Sequence, residues 1–470
     1  MVVAALALAL GCGAGGTAPG LQLPALPDTL EPEAVRIHLT DADHAARANR
    51  RSAEAVGALG LAYHADLYYD RAIESYALAE ALDPDEWRWT HYRAMAHVSR
   101  GDAERAREAL VRVVESAPDI APAWWRLGDV AFKTGRRDEA TRAWRRVMEL
   151  PEPATPPAAA TAGHTPLGPL AAYAAFGLAR LHLDDSPAQA RELLEGATGE
   201  APRFGPAFRL LGDAYAALGR DDDATRARRR AAALPRFAPY VDEFFQTLID
   251  ESRSAAFLLQ QASTADLTTN GAWREHLVRR ALAVDPDNRD ALFELATMLR
   301  VERRYGEALE LLERHRRLFP GDPQVVADIG RCLSALRQYA AAEPLLREAM
   351  ETLDTSETRY DLALVLDRSG RLDEAVAEYE RALDRNPNHV DALINLGIAL
   401  ARQGELVRAT RLFERAATVD PEHADAQANL GALYLAEGAR EAARQAFEQA
   451  LEIDPGHAGA AEGLRQLGPR

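Results

Sequence analysis

Apolar residues recur along most of this chain three and four positions apart, as at Leu396, Leu400, Phe413 and Ala416, the spacing of one face of a helix. The helical stretches are cut at regular intervals. Pro387, Pro421 and Pro455, in RNPNH, VDPEH and IDPGH, stand 34 residues apart, and the same phase carried upstream meets Pro84, Pro118, Pro202, Pro286 and Pro320. An alanine stands twelve residues before the proline at Ala72, Ala106, Ala190, Ala308, Ala375, Ala409 and Ala443. A glycine precedes such an alanine by five at Gly101, Gly135, Gly219, Gly370, Gly404 and Gly438. Each mark has a mechanical reason. The glycine supplies the left-handed residue that ends a first helix. The alanine is small where two antiparallel helices approach, and the proline cannot continue the second helix. One helix hairpin cannot bury its own apolar stripe, so neighbours stack and share a core. The pattern predicts an all-α solenoid of about eleven helix pairs, beginning near residues 53, 87, 121, 171, 205, 255, 289, 323, 356, 390 and 424.

The marks within a unit are more specific still. Leu59-Gly60, Tyr63, Ala72, Tyr76 and Pro84 occur in one unit; Trp124, Leu127, Gly128, Ala140 and Trp144 in another; Leu430-Gly431, Tyr434, Ala443, Phe447 and Pro455 in the last. This order resembles the tetratricopeptide-repeat (TPR) family, whose signature reads W-x2-L-G-x2-Y, then A-x3-F, then P. The resemblance implies a right-handed superhelix of stacked antiparallel helix pairs, no catalysis, no cofactor, and protein partners held in a concave groove. That groove is lined by positions 2, 5, 6, 9 and 12 of each first helix. Carried onto this chain, position 2 gives Asp290, Gln324, Glu357, Asp391 and Asp425, and position 6 gives Glu294, Asp328, Asp361, Asn395 and Asn429. Asn395 and Asn429 resemble the asparagine ladder that hydrogen-bonds an extended backbone in some members. The Lys/Arg carboxylate clamp of others is missing. These residues imply a basic or neutral extended segment as ligand, although an acidic residue in any first turn is also favoured by the helix dipole. Toward the N-terminus the same positions hold His91, Tyr92, Met95, Trp125, Arg126 and Phe132, the residue types of binding hot spots. The competing reading makes Trp125 and Phe132 core residues.

Two stretches interrupt the array. Residues 151–170 (PEPATPPAAATAGHTPLGPL) read as a Pro/Ala-rich insertion. Residues 239–288 contain an extra helical stretch, YVDEFFQTLIDES, and a unit without its Gly and Ala marks. They are expected to join an N-terminal arc (53–238) to a C-terminal arc (289–457). A cap helix is expected at 31–52, with Pro32 suited to its first turn, and a capping helix and tail at 458–470. The N-terminus has another character. Residues 2–10 are all apolar, too short to cross a bilayer, which takes about 20. They fit the apolar region of a secretory signal. Leu8-Ala9-Leu10-Gly11-Cys12 resembles the lipobox of bacterial lipoproteins, which makes residues 1–12 a signal peptide and lipobox and implies that Cys12 is lipidated and becomes the new N-terminus after cleavage. Residues 13–30 would then be a flexible tether. The expected location is the bacterial cell envelope, lipid-anchored on the outer membrane facing the periplasm, or secreted.

Composition removes several function classes. The net charge of −17 disfavours nucleic acid, which needs clustered cations against its phosphates. Lys133 is the single lysine, which leaves little scope for Schiff-base chemistry and supplies no P-loop lysine. Two cysteines, Cys12 and Cys332, make no metal cluster, and Cys332 in IGRCLSAL reads as a buried small apolar residue. His389, His423 and His457 repeat every 34 residues. Stacked helices lie roughly 8–10 Å apart while zinc requires its nitrogens within about 2.1 Å, so this ladder cannot meet on one ion. These histidines read as turn residues at helix starts. The expected function is a protein-binding scaffold. Two variants of it are an assembly factor for an envelope machine (pilus, outer-membrane protein or polysaccharide export) and an accessory subunit presenting substrates to an enzyme encoded elsewhere.

Overall fold

A computed structural model describes residues 22–30, 32–153, 164, 166–234, 240–265 and 267–468; Cys12 and residues 13–21 of the tether lie outside them. The described residues form twenty-five helices and no strand, in two compact units, Met1–Ala291 and Leu292–Arg470. Unit 1 contains α1 (Glu33–Ala48), α2 (Ala53–Ala65), α3 (Tyr69–Leu82), α4 (Trp87–Arg100), α5 (Ala103–Ser116), α6 (Ala121–Lys133) and α7 (Arg137–Glu149). It continues with α8 (Leu170–His182), α9 (Pro187–Glu200), α10 (Gly205–Ala217), α11 (Asp221–Ala232), α12 (Glu243–Glu251), α13 (Ala255–Thr264) and α14 (Leu267–Val284). Helix α15 (Arg289–Val301) contains the boundary. Unit 2 follows with α16 (Tyr305–Leu318), α17 (Pro323–Ala335), α18 (Tyr339–Met350), α19 (Ser356–Arg368) and α20 (Leu372–Arg385). Its remaining helices are α21 (Val390–Arg402), α22 (Leu406–Val419), α23 (Ala424–Ala436), α24 (Arg440–Ile453) and α25 (Ala458–Leu467).

Within each unit the stacking is sequential. From α2 to α11, and from α16 to α25, every helix packs on the next. First helices also touch first helices across pairs within a unit, as α2 does α4 in unit 1, and α17 does α19 and α21 does α23 in unit 2. Two local devices set the geometry. The six glycines at the ends of first helices all have positive φ, between 70° and 86°. Leu67, Arg303 and Arg337 take the same left-handed place without a glycine, at φ 73°, 62° and 62°. The backbone closes identically in both cases: Asp102 N–H reaches His97 O at 2.9 Å, and Gln338 N–H reaches Leu333 O at 2.8 Å. The second device is close approach inside a pair. A Cβ on Gly60, Gly397 or Gly431 would come within 2.6–2.8 Å of the rings of Tyr76, Phe413 and Phe447, each sixteen residues on; Gly128 stands likewise against Trp144. Tyr76, Phe413, Phe447 and Trp144 are buried in these notches.

The ends are closed as the stripe of each terminal helix demands. Helix α1 starts after Pro32 and packs Val35 and Leu39 beneath its surface, against α2. Helix α25 buries Ala460 and Leu467 over Phe447, and Arg440 and Arg444 donate to its terminal carbonyls at Leu467 and Gly468. His389 and His457 are N-cap residues whose Nδ1 atoms accept from Ala392 N–H and Ala460 N–H at 3.3 and 3.0 Å. Cys332 is fully buried. Within the 151–170 insertion, the Glu152 carboxylate accepts from Leu170 N–H at 2.8 Å and from Tyr240 Oη at 2.9 Å.

Candidate partner-binding sites

The first helices of unit 1 carry His91 and Tyr92 on α4 and Trp125 and Arg126 on α6, and something already lies on them. The stretch YVDEFFQTLIDES forms α12, an amphipathic helix capped by Asp242, whose side chain accepts from Phe245 N–H at 2.9 Å. Its apolar side, Phe244, Leu248 and Ile249, is 4%, 1% and 0% exposed. The Phe244 ring centre lies 4.5 Å from His91, 5.8 Å from Tyr92 and 5.7 Å from Trp87. At one end Asp242 pairs with Arg126. At the other, Ser252 Oγ donates to Ala65 O at 2.9 Å and Arg253 N–H donates to Asp66 at 2.8 Å. His38 of α1 sits between Asp66 and Glu251, at 2.8 and 2.9 Å. Burial opposes a charge on His38, but its hydrogen bonds to the two carboxylates, and their charges, prevail and raise its pKa to about 9. The imidazolium therefore links the cap helix, α2 and α12 at neutral pH.

This placement corrects the expectation for His91 and Tyr92. Both are buried beneath α12, at 0% and 6% exposure, and closed to a partner. Burial, with Arg126 nearby, holds the His91 pKa well below its ordinary range, so the ring is neutral and serves as a flat packing surface. Arg126 is committed to Asp242. Trp125 is half-buried and remains at the edge of an open pocket of about 300 Å³ between α4, α6, α12 and α13. Met95, Val98, Val130, Leu248 and Phe257 supply the pocket's apolar walls, with Asp129, Gln260 and Gln261 among its polar residues.

In unit 2 the sequence-assigned positions fall on the layer of first helices and divide into two sets. Glu357, Asp391 and Asp425 are exposed, as is Asp290 at the end of unit 1, while Gln324 is half-buried; Asp425 reaches His457 at 2.9 Å, and Asp391 lies 4.0 Å from His423. Position 6 is largely turned inward on the protein's own side chains. Asp328 is 2% exposed and pairs with Arg331 and, at 3.5 Å, with Arg300. Asp361 takes the same Arg331, and burial raises its pKa against the pull of that guanidinium. Asn395 donates to Tyr360 Oη at 2.9 Å, while Glu294 and Asn429 are half-buried. Arg300, Arg331 and Arg368 line a cleft of about 260 Å³ with Tyr305, Tyr339 and Leu364. Asp361 lines it too, so the acids of position 6 are compensated here by the arginines of the same layer. The partner of Asp328 was visible in sequence as an arginine three residues on, one helical turn away; the Asp242–Arg126 pairing carried no such local signal.

The sequence comparison decides the family. One profile described as tetratricopeptide repeat matches residues 93–149, 274–323 and 360–418, and a second with the same description matches 299–364 and 400–467. The chain is a tetratricopeptide-repeat protein. Solved structures similar to this TPR protein include yeast Tom70, at 16% identity over 88% of this chain and 94% of that chain, with a TM-score of 0.37. Another is pilF of Pseudomonas aeruginosa, at 21% identity, covering 46% and 99% of the two chains, with a TM-score of 0.40. A third is YrrB, described as a TPR protein with an unusual peptide-binding site, at 23% identity, covering 40% and 97%, with a TM-score of 0.33. No curated protein matches the chain significantly. TPR repeats support a protein-interaction scaffold, and no described helix of this TPR protein is long and apolar enough to cross a membrane.

Proposed function

We propose that this protein is a non-catalytic scaffold of the bacterial cell envelope, lipid-anchored through Cys12, whose unit 2 holds an extended partner segment on its layer of first helices. The observation that carries the reading is the set of exposed carboxylates at Glu357, Asp391 and Asp425, on three successive first helices, beside the half-buried amide of Asn429. Such a set meets basic or neutral side chains along an extended chain, and an amide offers a donor and an acceptor to its backbone. The titratable groups most shifted by burial support a structural use rather than acid–base work. His64, pushed down to about 3 by desolvation, lies in the core beside Tyr76. His38 is locked between two carboxylates.

Affinity capture of the mature protein from envelope extract tests the reading, run beside an Asp391→Arg/Asp425→Arg variant. Both carboxylates are exposed, so the fold is retained, and partners held by unit 2 are lost from the variant alone. Full retention of every partner would refute the assignment of the surface. The anchor is tested separately. Detergent-phase partition of the wild type and loss of that partition in Cys12→Ser are expected, and equal partition of the two would remove the lipid.

A further inference from the structure

The pocket beside α12 is not part of the 34-residue plan, because α12 lies outside the repeat and α13 belongs to the degenerate unit. Its depth is apolar: Met95, Val130, Leu248 and Phe257 are each at most 6% exposed. Trp125 forms one side. A volume of about 300 Å³ is at the small end for ligand pockets. Space of that size takes one ring system or one large branched side chain.

The charges around it are already spent. Arg126 pairs with Asp242, and Asp129 with Lys133 at 2.7 Å. A charged group entering the pocket would therefore lose its water without gaining a counter-charge. At the polar edge, α13 presents Gln260 and Gln261, of which Gln260 is exposed and Gln261 half-buried. Each amide carries both a donor and an acceptor, the pair required by the backbone of a peptide passing over the opening.

We infer that this pocket is a socket for one uncharged aromatic side chain of an extended partner peptide, with the peptide backbone held by Gln260 and Gln261. The inference rests on the scaffold reading above and adds a second, chemically different contact to it. An aromatic ring fills such a space with large apolar area at low conformational cost, which is why these side chains anchor interfaces.

The test is selection of random nonapeptides on the immobilised mature protein, followed by binding measurements with two variants. Val98→Trp plugs the pocket from its open side, because Val98 lines it and is 39% exposed. Gln260→Ala/Gln261→Ala removes the amides at the surface. Selected peptides are expected to share one aromatic position and to lose affinity at least tenfold with each variant, while Asp391→Arg/Asp425→Arg leaves them unchanged. Helicity measured by circular dichroism keeps misfolding apart from lost binding. Peptides without a common aromatic residue, or undiminished binding to a folded Val98→Trp protein, would overturn the socket. If all selected peptides depend on Asp391 and Asp425 instead, the socket falls and the scaffold reading stands. If no peptide is selected and envelope capture also fails, both fall.

Discussion

Replacing Phe244 with alanine removes the ring that seats α12 on the first helices of unit 1. That ring is 4% exposed and lies within 4.5–5.8 Å, centre to centre, of His91, Trp87 and Tyr92. Truncating a buried phenylalanine costs roughly 3–5 kcal/mol, with the outcome set by how well the site collapses. Here α12 has only nine residues, too few to be helical in water on its own, so loss of docking is also loss of the helix. Leu248, Ile249 and the bonds of Ser252 and Arg253 remain, and they keep the deficit near the lower bound. The expected loss is about 3–4 kcal/mol of local stability, or two to three decades in the amide exchange rate of α12. Hydrogen exchange read by mass spectrometry measures it directly, with the peptides of α16–α25 as an internal standard that does not change. Unaltered protection across Glu243–Glu251 in a variant of native helicity would refute the reasoning, since the segment would then be held by something other than its aromatic cluster.

The turns supply a second prediction. Arg303 and Arg337 occupy left-handed positions that cost a residue with a Cβ about 1–2 kcal/mol, part of which a glycine returns as chain entropy in the unfolded state. Arg303→Gly and Arg337→Gly should each stabilise by roughly 0.5–1 kcal/mol, read as a raised thermal midpoint, and an unchanged or lowered midpoint would contradict the turn geometry. Gly397→Ala forces a Cβ to within 2.6 Å of the Phe413 ring and should cost about 1–3 kcal/mol in urea unfolding; a neutral result would mean the notch is not tight. The His38 latch has a definite pH sign. Its folded pKa, about 9, exceeds the ordinary 6.5, so its contribution is complete below 6.5 and disappears as pH climbs through 9. Proteolytic cleavage within α12 should accelerate between pH 6.5 and 9 in the wild type and lose that dependence in His38→Asn; an equal pH profile in both would dismiss the latch.

Much of the fold was legible because its determinants are local and repeated. Gly101 and Gly404 end helices by their own backbone freedom, and Gly397 meets Phe413 sixteen residues on within the same pair, so a single repeat contains the whole argument. The position of α12 was not legible. An amphipathic stretch such as YVDEFFQTLIDES announces an apolar side without naming what covers it. Its partners stand 116 residues away at Arg126 and 187 away at Ala65 and Asp66, beyond any periodicity. The same limit explains why His91, Tyr92, Trp125 and Arg126, which share a phase, have three different situations in the structure. In unit 2 the phase located Asp328 and Asp361 on the proper helices, but a phase says nothing of whether a carboxylate faces a ligand or an arginine of the adjacent repeat.

The long-distance pinning of α12 changes how unit 1 gains and loses its structure. A stack of repeats whose contacts are only between neighbours behaves as a linear chain of weakly coupled blocks, fraying from either end and nucleating anywhere. Helix α12 closes that line into a loop, fastening residues 240–253 to helices laid down more than a hundred positions earlier. Closing such a loop costs entropy before the contacts form, which delays folding, and once closed it makes the enclosed repeats open together or not at all. Unit 1 should thus melt as one block and fold late, after synthesis has passed residue 253, whereas unit 2 can add and shed helix pairs one at a time at its α25 end.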